Sequence, residues 1–194
     1  VRTVIRFRKK HLGDEHEILT HLGALYGFAM SLTRNPADAE DLVQEACLRA
    51  IKGMAQRGVK SGTKVWLFTI LRNVWINEWR RRTKGPEFVL FGKSHGVRTV
   101  LQDRLPDERE RPEDVFERNA LAEKISAAIA GLPEAFREVV VLRYFEGFSY
   151  RQIATVLGCP AGTVMSRLNR AKAELRGVLD EKNTFVILRR RGSG

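Results

Sequence analysis

The chain has 194 residues, enough for one or two small domains that each bury a core. Lys and Arg number 34 against 23 Asp and Glu, and the net charge of +11 favours a polyanionic partner, nucleic acid before membrane. No apolar run approaches the ~18 residues of a membrane span, and Cys47 and Cys159 lie far apart with no C-x-x-C spacing, which argues against a zinc site or a disulfide framework.

The first stretch, VRTVIRFRKKHLGDEHE, is basic but lacks the apolar core of a signal peptide, so a cytoplasmic protein is expected. His11, His16 and His21 recur at steps of five, which does not align them on one helical face. Neither a metal nor a cofactor is expected. From Glu17 to Thr33, Ile18, Leu22, Leu25, Phe28, Ala29 and Leu32 recur at helical steps and predict an amphipathic helix. Asn35-Pro36-Ala37-Asp38 is a helix start: a cap residue, proline at the first helical position and an acid in the first turn. The helix it opens buries Ala39, Leu42, Val43, Ala46 and Ala50 and shows Glu40, Asp41, Gln44, Glu45 and Arg49 on its other side. This acid–amide patch reads either as a solvated face or as a docking surface for a basic protein partner.

Gly53 to Lys64 is glycine-punctuated and basic and predicts a loop. Val65 to Arg82 then predicts a helix that is apolar around most of its circumference. One stripe differs: Thr69, Asn73, Asn77 and Arg80 fall at helical steps, and Arg81 and Arg82 extend its cationic end. Such a stripe suits contact with nucleic-acid backbone or bases. Trp75 and Trp79 read as core aromatics, and Trp66, beside the basic loop, as core or as a base-stacking ring.

Gly85-Pro86 ends that helix, and residues 85–114 show no sustained period, which predicts a flexible linker. Its FVLF run, Phe88 to Phe91, is left without an assigned role. Pro112-Glu113-Asp114 reopens helix, with Leu121, Ile125, Ala128 and Leu132 as the apolar face, and Pro133-Glu134 starts another helix through Tyr144. The segment Ser149 to Leu175 then reads as two helices about a tight turn. Ser149 and Gln152 have capping-box spacing, Gly158 suits a left-handed turn, and Pro160 restarts the chain. The second helix buries Val164, Leu168 and Ala171 and leaves Ser166, Arg167, Asn169, Arg170 and Lys172 outward. Its basic face predicts a helix-turn-helix whose second helix enters a major groove. After Asp180 the basic tail has too little apolar content to form a domain. No period-two strand pattern occurs, so the expected fold is all-α: two small helical domains, residues 1–84 and 115–180, joined by the linker 85–114 and followed by a tail, 181–194.

The order LTRNPADAEDLVQEACLRA, VWLFTILRN and LPEAFREVVVLRYFEGFSYRQIATVLGCPAGTVMSRLNRAKAEL resembles the extracytoplasmic-function (group 4) sigma factors of the bacterial sigma-70 family, over roughly Leu19 to Leu179. The resemblance implies a region 2 domain, then a linker, then a region 4 helix-turn-helix. It implies that the chain directs core RNA polymerase to promoters and assists opening of the −10 element. Asp41, Gln44 and Glu45 would dock on the β′ clamp helices, and the second domain would meet the β flap. Lys60, Ser61, Lys64, Trp66, Asn73, Asn77, Arg80 and Arg81 would serve the −10 element. Met165, Ser166, Asn169 and Arg170 would face −35 bases, while Arg151, Thr163, Arg167 and Lys172 would hold phosphates. Two departures stand out: larger sigma factors carry adjacent tryptophans where Trp66 is followed by Leu67, and Met165 replaces a commonly polar residue. The resemblance also implies an anti-sigma partner. A conventional helix-turn-helix regulator, independent of polymerase, is the alternative. No acid–base pair, activated nucleophile or phosphate-binding glycine loop is evident, so catalysis is not expected.

Overall fold

The computed structural model describes residues 16–57, 62–79 and 112–179, and every regular element among them is helical. Lys60, Ser61, Arg80, Arg81, the Phe88–Phe91 run, most of the linker and the tail lie outside the described residues. A helical turn at residues 16–20 leads into α1 (Leu22–Thr33), followed by α2 (Pro36–Arg57) and α3 (Thr63–Val74). The second half contains α4 (Pro112–Gly131), α5 (Glu134–Val140), α6 (Tyr150–Leu157) and α7 (Ala161–Val178). α3 and α5 each run on into a wide π-helical turn, Trp75–Trp79 and Val141–Phe145.

The caps explain where these helices begin and end. Asn35 Oδ1 accepts from the amides of Ala37 at 2.9 Å and Asp38 at 3.3 Å, so two amides left open by α2 are satisfied. α1 ends at Arg34 in the left-handed region (φ 59°), a rare place for a side-chain-bearing residue. Its amide bonds to the Met30 carbonyl, and its guanidinium donates to the Ala130 carbonyl of the second half, which hold it there.

α1, α2 and α3 pack together around Leu25, Phe28, Leu42, Leu67, Phe68 and Leu71, all essentially inaccessible. Burying each such side chain stabilises by about 1.5–3 kcal/mol. The loop expected from Gly53 is shorter than the sequence suggests, because α2 continues to Arg57. The reason lies in packing: a Cβ at Gly53 would sit 3.2 Å from a ring carbon of Trp66. Gly53 is therefore a close-approach residue within a helix rather than a breaker.

In the second half α7 packs on α5 and α6 around Val139, Leu142, Ile153, Val164, Leu168 and Leu175. The two halves are not apart. α3 packs against α6, and α1 against α5, so a single continuous core runs through both. Three rings mark the junction: Phe28 stacks on Phe68 at 5.3 Å, and Phe148 of the second half meets Phe68 edge-on at 5.1 Å. The sequence pattern separated the two bundles but did not show that they adhere.

Candidate nucleic-acid interface

The helix-turn-helix forms as its local chemistry requires. Ser149 Oγ accepts from the Gln152 amide at 3.3 Å, and Gln152 Oε1 accepts from the Ser149 amide at 2.8 Å. This reciprocal pair fixes the first turn of α6. Gly158 takes φ 57° at the end of α6, where a side chain would be strained, and α7 starts beyond Pro160. Ile153, Val156 and Leu157 from α6 and Val164, Leu168, Ala171 and Leu175 from α7 lock the two helices together. The entry turn is pinned as well: the Phe148 amide donates to Leu142 O at 3.0 Å, and Arg143 Nη1 donates to Phe148 O at 3.0 Å.

α7 thereby presents Met165, Ser166, Asn169 and Arg170 to solvent, with Met165 half exposed at 50%. Arg151 on α6 is also exposed, while Thr163, Arg167 and Lys172 are half-buried along the flanks. The four outward residues form one ridge and the flanking residues border it, an arrangement that matches base edges in a groove with phosphates at its margins. Ser166 Oγ donates to the Thr163 carbonyl at 3.0 Å, which leaves its lone pairs as acceptors. Arg167 additionally attracts the buried carboxylate of Glu138.

On α3 the expected residues divide. Asn73 and Asn77 are exposed one turn apart, whereas Thr69 is half-buried and donates to the Val65 carbonyl at 2.8 Å. Trp66 is half-buried over Gly53 and packs against the core. Trp75 is buried as expected, but its indole N–H donates to Glu134 Oε1 of the second half at 3.2 Å. Lys64 turns toward the second half. Its ammonium lies 2.8 Å from Glu146 Oε2, donates to Glu146 O at 3.0 Å and sits 5.2 Å from the Phe148 ring centre.

Sequence reasoning missed the charged residues that join the halves. Arg72 Nε donates to Glu138 Oε1 at 3.0 Å, with both side chains largely buried. Burial pushes the Glu138 carboxyl above the usual glutamate range, and Arg72 opposes that shift. Arg137 donates to the Ser31, Ala130 and Leu132 carbonyls and so ties α1 to the second half. Burial lowers its pKa to about 10, still far enough above neutrality that it carries its charge. The signal was present in the run AFREVVVL, where an Arg-Glu pair interrupts a stretch too apolar to face water.

On the opposite face of α2, Asp41 and Gln44 are exposed, and Glu45 pairs with Arg49 at 2.7 Å. Beside them an apolar groove of about 690 Å³ is lined by Leu19, Leu22, Tyr26, Leu48 and Ile51, with Glu40 and Gln44 on it. Leu19, Leu48 and Ile51 are exposed at 60%, 46% and 44%, a cluster of apolar surface larger than isolated residues would leave. Cys47 lines the same groove, and burial raises its thiol pKa above the ordinary cysteine value. Among the described residues no group of His, Cys, Asp and Glu is placed to hold a metal ion.

Residues 17–85 match the family described as Sigma-70 region 2, and residues 122–175 match Sigma-70, region 4. The ECF RNA polymerase sigma factor EcfG of Rhodopseudomonas palustris is 34% identical over 84% of this chain and 83% of its own length. The chain belongs to the ECF sigma factors. SigL of Mycobacterium tuberculosis is 36% identical over 83% of this sigma factor and 85% of its own length. SigE of Mycolicibacterium smegmatis is 35% identical over 82%, and the match spans 58% of that longer protein. Among solved structures, the sigma factor RpoE of Bartonella quintana, in complex with the anti-sigma factor NepR, superposes with a TM-score of 0.63 at 30% identity. It covers 86% of this chain and 96% of that one. α1 to α3 thus fall within the region 2 match, and α5, α6 and most of α7 within the region 4 match.

Proposed function

We propose that this sigma factor selects promoters for core RNA polymerase by holding two DNA elements with two different chemistries. The observation that carries this is the outward ridge of Met165, Ser166, Asn169 and Arg170 on a capped helix-turn-helix, in one chain with the exposed Asn73 and Asn77 of α3. α7 enters the major groove of the −35 element. Asn169 offers a bidentate match to adenine and Arg170 to guanine, each worth about 1–3 kcal/mol of discrimination. Arg151, Thr163, Arg167 and Lys172 set the register by holding phosphates.

At the −10 element the task is capture rather than chemistry. Unstacking a base costs a few kcal/mol, which contacts to the extruded base offset. Asn73 and Asn77 supply amide donors and acceptors for it, and Lys64, with Lys60, Ser61, Arg80 and Arg81, contacts the strand. The half-buried Trp66 acts as a packing residue at the base of this surface, in keeping with its contact to Gly53. Asp41, Gln44 and Glu45, beside the apolar groove, dock on the β′ clamp helices, and the second module meets the β flap. The protein works in the cytoplasm, without catalytic activity of its own, and is held inactive by an anti-sigma protein. Support for that last partner is the complex formed by the Bartonella quintana sigma factor.

Core-dependent run-off transcription tests the proposal. Addition of the chain to core polymerase should produce a discrete transcript from a promoter carrying both elements. A regulator acting without core docking would leave core polymerase unselective.

A further inference from the structure

Large apolar side chains that stay exposed fall into distinct places among the described residues. Leu19, Leu48 and Ile51 line the groove beside α2, Val178 lines a second groove between α4 and α7, and the Tyr150 ring faces the Arg143 guanidinium at 5.1 Å. Met165 belongs to neither groove and lies outside the core, half exposed on the outward face of α7. Val164, Leu168, Ala171 and Leu175 already supply the inward face of that helix, so folding has no use for an apolar side chain on the other.

The placement of Met165 along α7 narrows what it can meet. It stands one turn in from the start of the helix at Ala161, and helix-turn-helix proteins touch base edges with the N-terminal part of the second helix. A helical side chain leans over the turn before its own Cα. Three residues before Met165 that turn carries Gly162, exposed and with nothing within 4 Å of where a Cβ would lie. The thioether therefore has open space ahead of it. Asn169 follows one turn later on the same line of the helix, about 6 Å further along the axis.

We propose that Met165 reads the C5-methyl group of a thymine in the −35 element, within about two base pairs of the base that Asn169 contacts. This inference rests on the sigma-factor reading and deepens it, by naming what one side chain of the ridge recognises. A thioether has no donor and is only a weak acceptor, so it cannot answer the hydrogen-bond code of a base edge. The thymine methyl is the apolar feature that the major groove offers. Contact between the two takes apolar surface out of water on both sides. Against cytosine or a purine, the same thioether would strip water from donors and acceptors and leave them unpaired. Selectivity thus comes from a gain at thymine and a loss at the other bases, and the three rotatable bonds of methionine let the side chain follow the methyl.

The test uses the full chain assembled with core polymerase, and a promoter library randomised over the −35 element. Transcripts made with the unmodified chain should enrich thymine at one position of one strand, and Met165→Ala should lose that enrichment. A selected promoter is then made with that thymine replaced by deoxyuridine, which deletes the methyl and nothing else. The unmodified holoenzyme should bind the uracil duplex about fourfold more weakly. The Met165→Ala holoenzyme should bind both duplexes alike. Absence of an enriched thymine, a thymine preference retained by Met165→Ala, or equal binding of the two duplexes by the unmodified holoenzyme would each overturn the assignment. The uracil comparison reads the unmodified chain, so it decides even where the variant folds poorly. A holoenzyme that selects promoters but is blind to the methyl loses only this contact. A chain that confers no promoter selection on core polymerase loses the sigma reading itself, and the contact with it.

Discussion

Lys64 and Glu146 are 82 positions apart in the chain and meet at 2.8 Å across the junction of its two halves. One belongs to α3 and the other to the turn that leads into α6. The two helical halves are therefore held against one another, and several measurable consequences attach to that and to the surfaces around it.

The ridge of α7 should separate base reading from phosphate holding. Arg170→Ala is expected to weaken promoters with an intact −35 element by about 1–3 kcal/mol while sparing scrambled ones. Arg167→Ala should weaken both alike and flatten the salt dependence of duplex binding by about one unit of slope. Filter binding or anisotropy across a salt series reads both. Equal losses from Arg170→Ala on matched and scrambled sites would remove its base contact.

Docking on polymerase should depend on the exposed acid–amide patch of α2. Asp41→Ala or Gln44→Ala is expected to lower affinity for core polymerase severalfold and leave the unfolding transition in place, because both side chains are exposed. Unchanged core affinity in competition assays would remove the patch from the interface.

The capping box predicts a stability effect confined to the second module. Ser149→Ala removes an acceptor from the Gln152 amide and should cost about 0.5–2 kcal/mol, and Ser149→Asp should retain most of the stability. Denaturant unfolding checks both. A neutral Ser149→Ala would mean that packing of Ile153 and Leu157 alone sets the start of α6.

His21 gives the chain an acid-side sensitivity. Burial, and secondarily the positive charge of Lys64, hold its pKa below the ordinary value of 6.5. The unfolded chain therefore takes up this proton more readily than the folded one. The group's contribution is fully present above pH 6.5 and is lost as pH falls from there through the lowered value. His21→Gln should flatten the fall in stability across that window, read by denaturant midpoints at stepped pH. A steeper fall in the variant would contradict the assignment.

The fold was legible wherever a local rule decides it. Asn35 and Ser149 marked helix starts, and alternating apolar and basic residues set which face of α7 is outward, because capping and amphipathicity act within a few residues. Gly53 misled for the opposite reason: its partner Trp66 arrives from the next helix, so a close-packing glycine reads as a loop residue. The junction was hidden by the same distance in sequence. Arg72 and Glu146 look like ordinary surface charges, and although the apolar run around Arg137 and Glu138 hints at burial, only the fold shows that all four meet carbonyls or opposite charges 66 to 106 positions away. Within the candidate site, the outward ridge of α7 could be read from the sequence, but the pairing of Lys64 with Glu146 could not.

The most direct measurement is to sequence the 5′ ends of RNA made by purified core polymerase on genomic DNA, with and without this chain. The account predicts new start positions that share two upstream elements at a fixed spacing of about two helical turns. The same distribution of start positions in both reactions would contradict it.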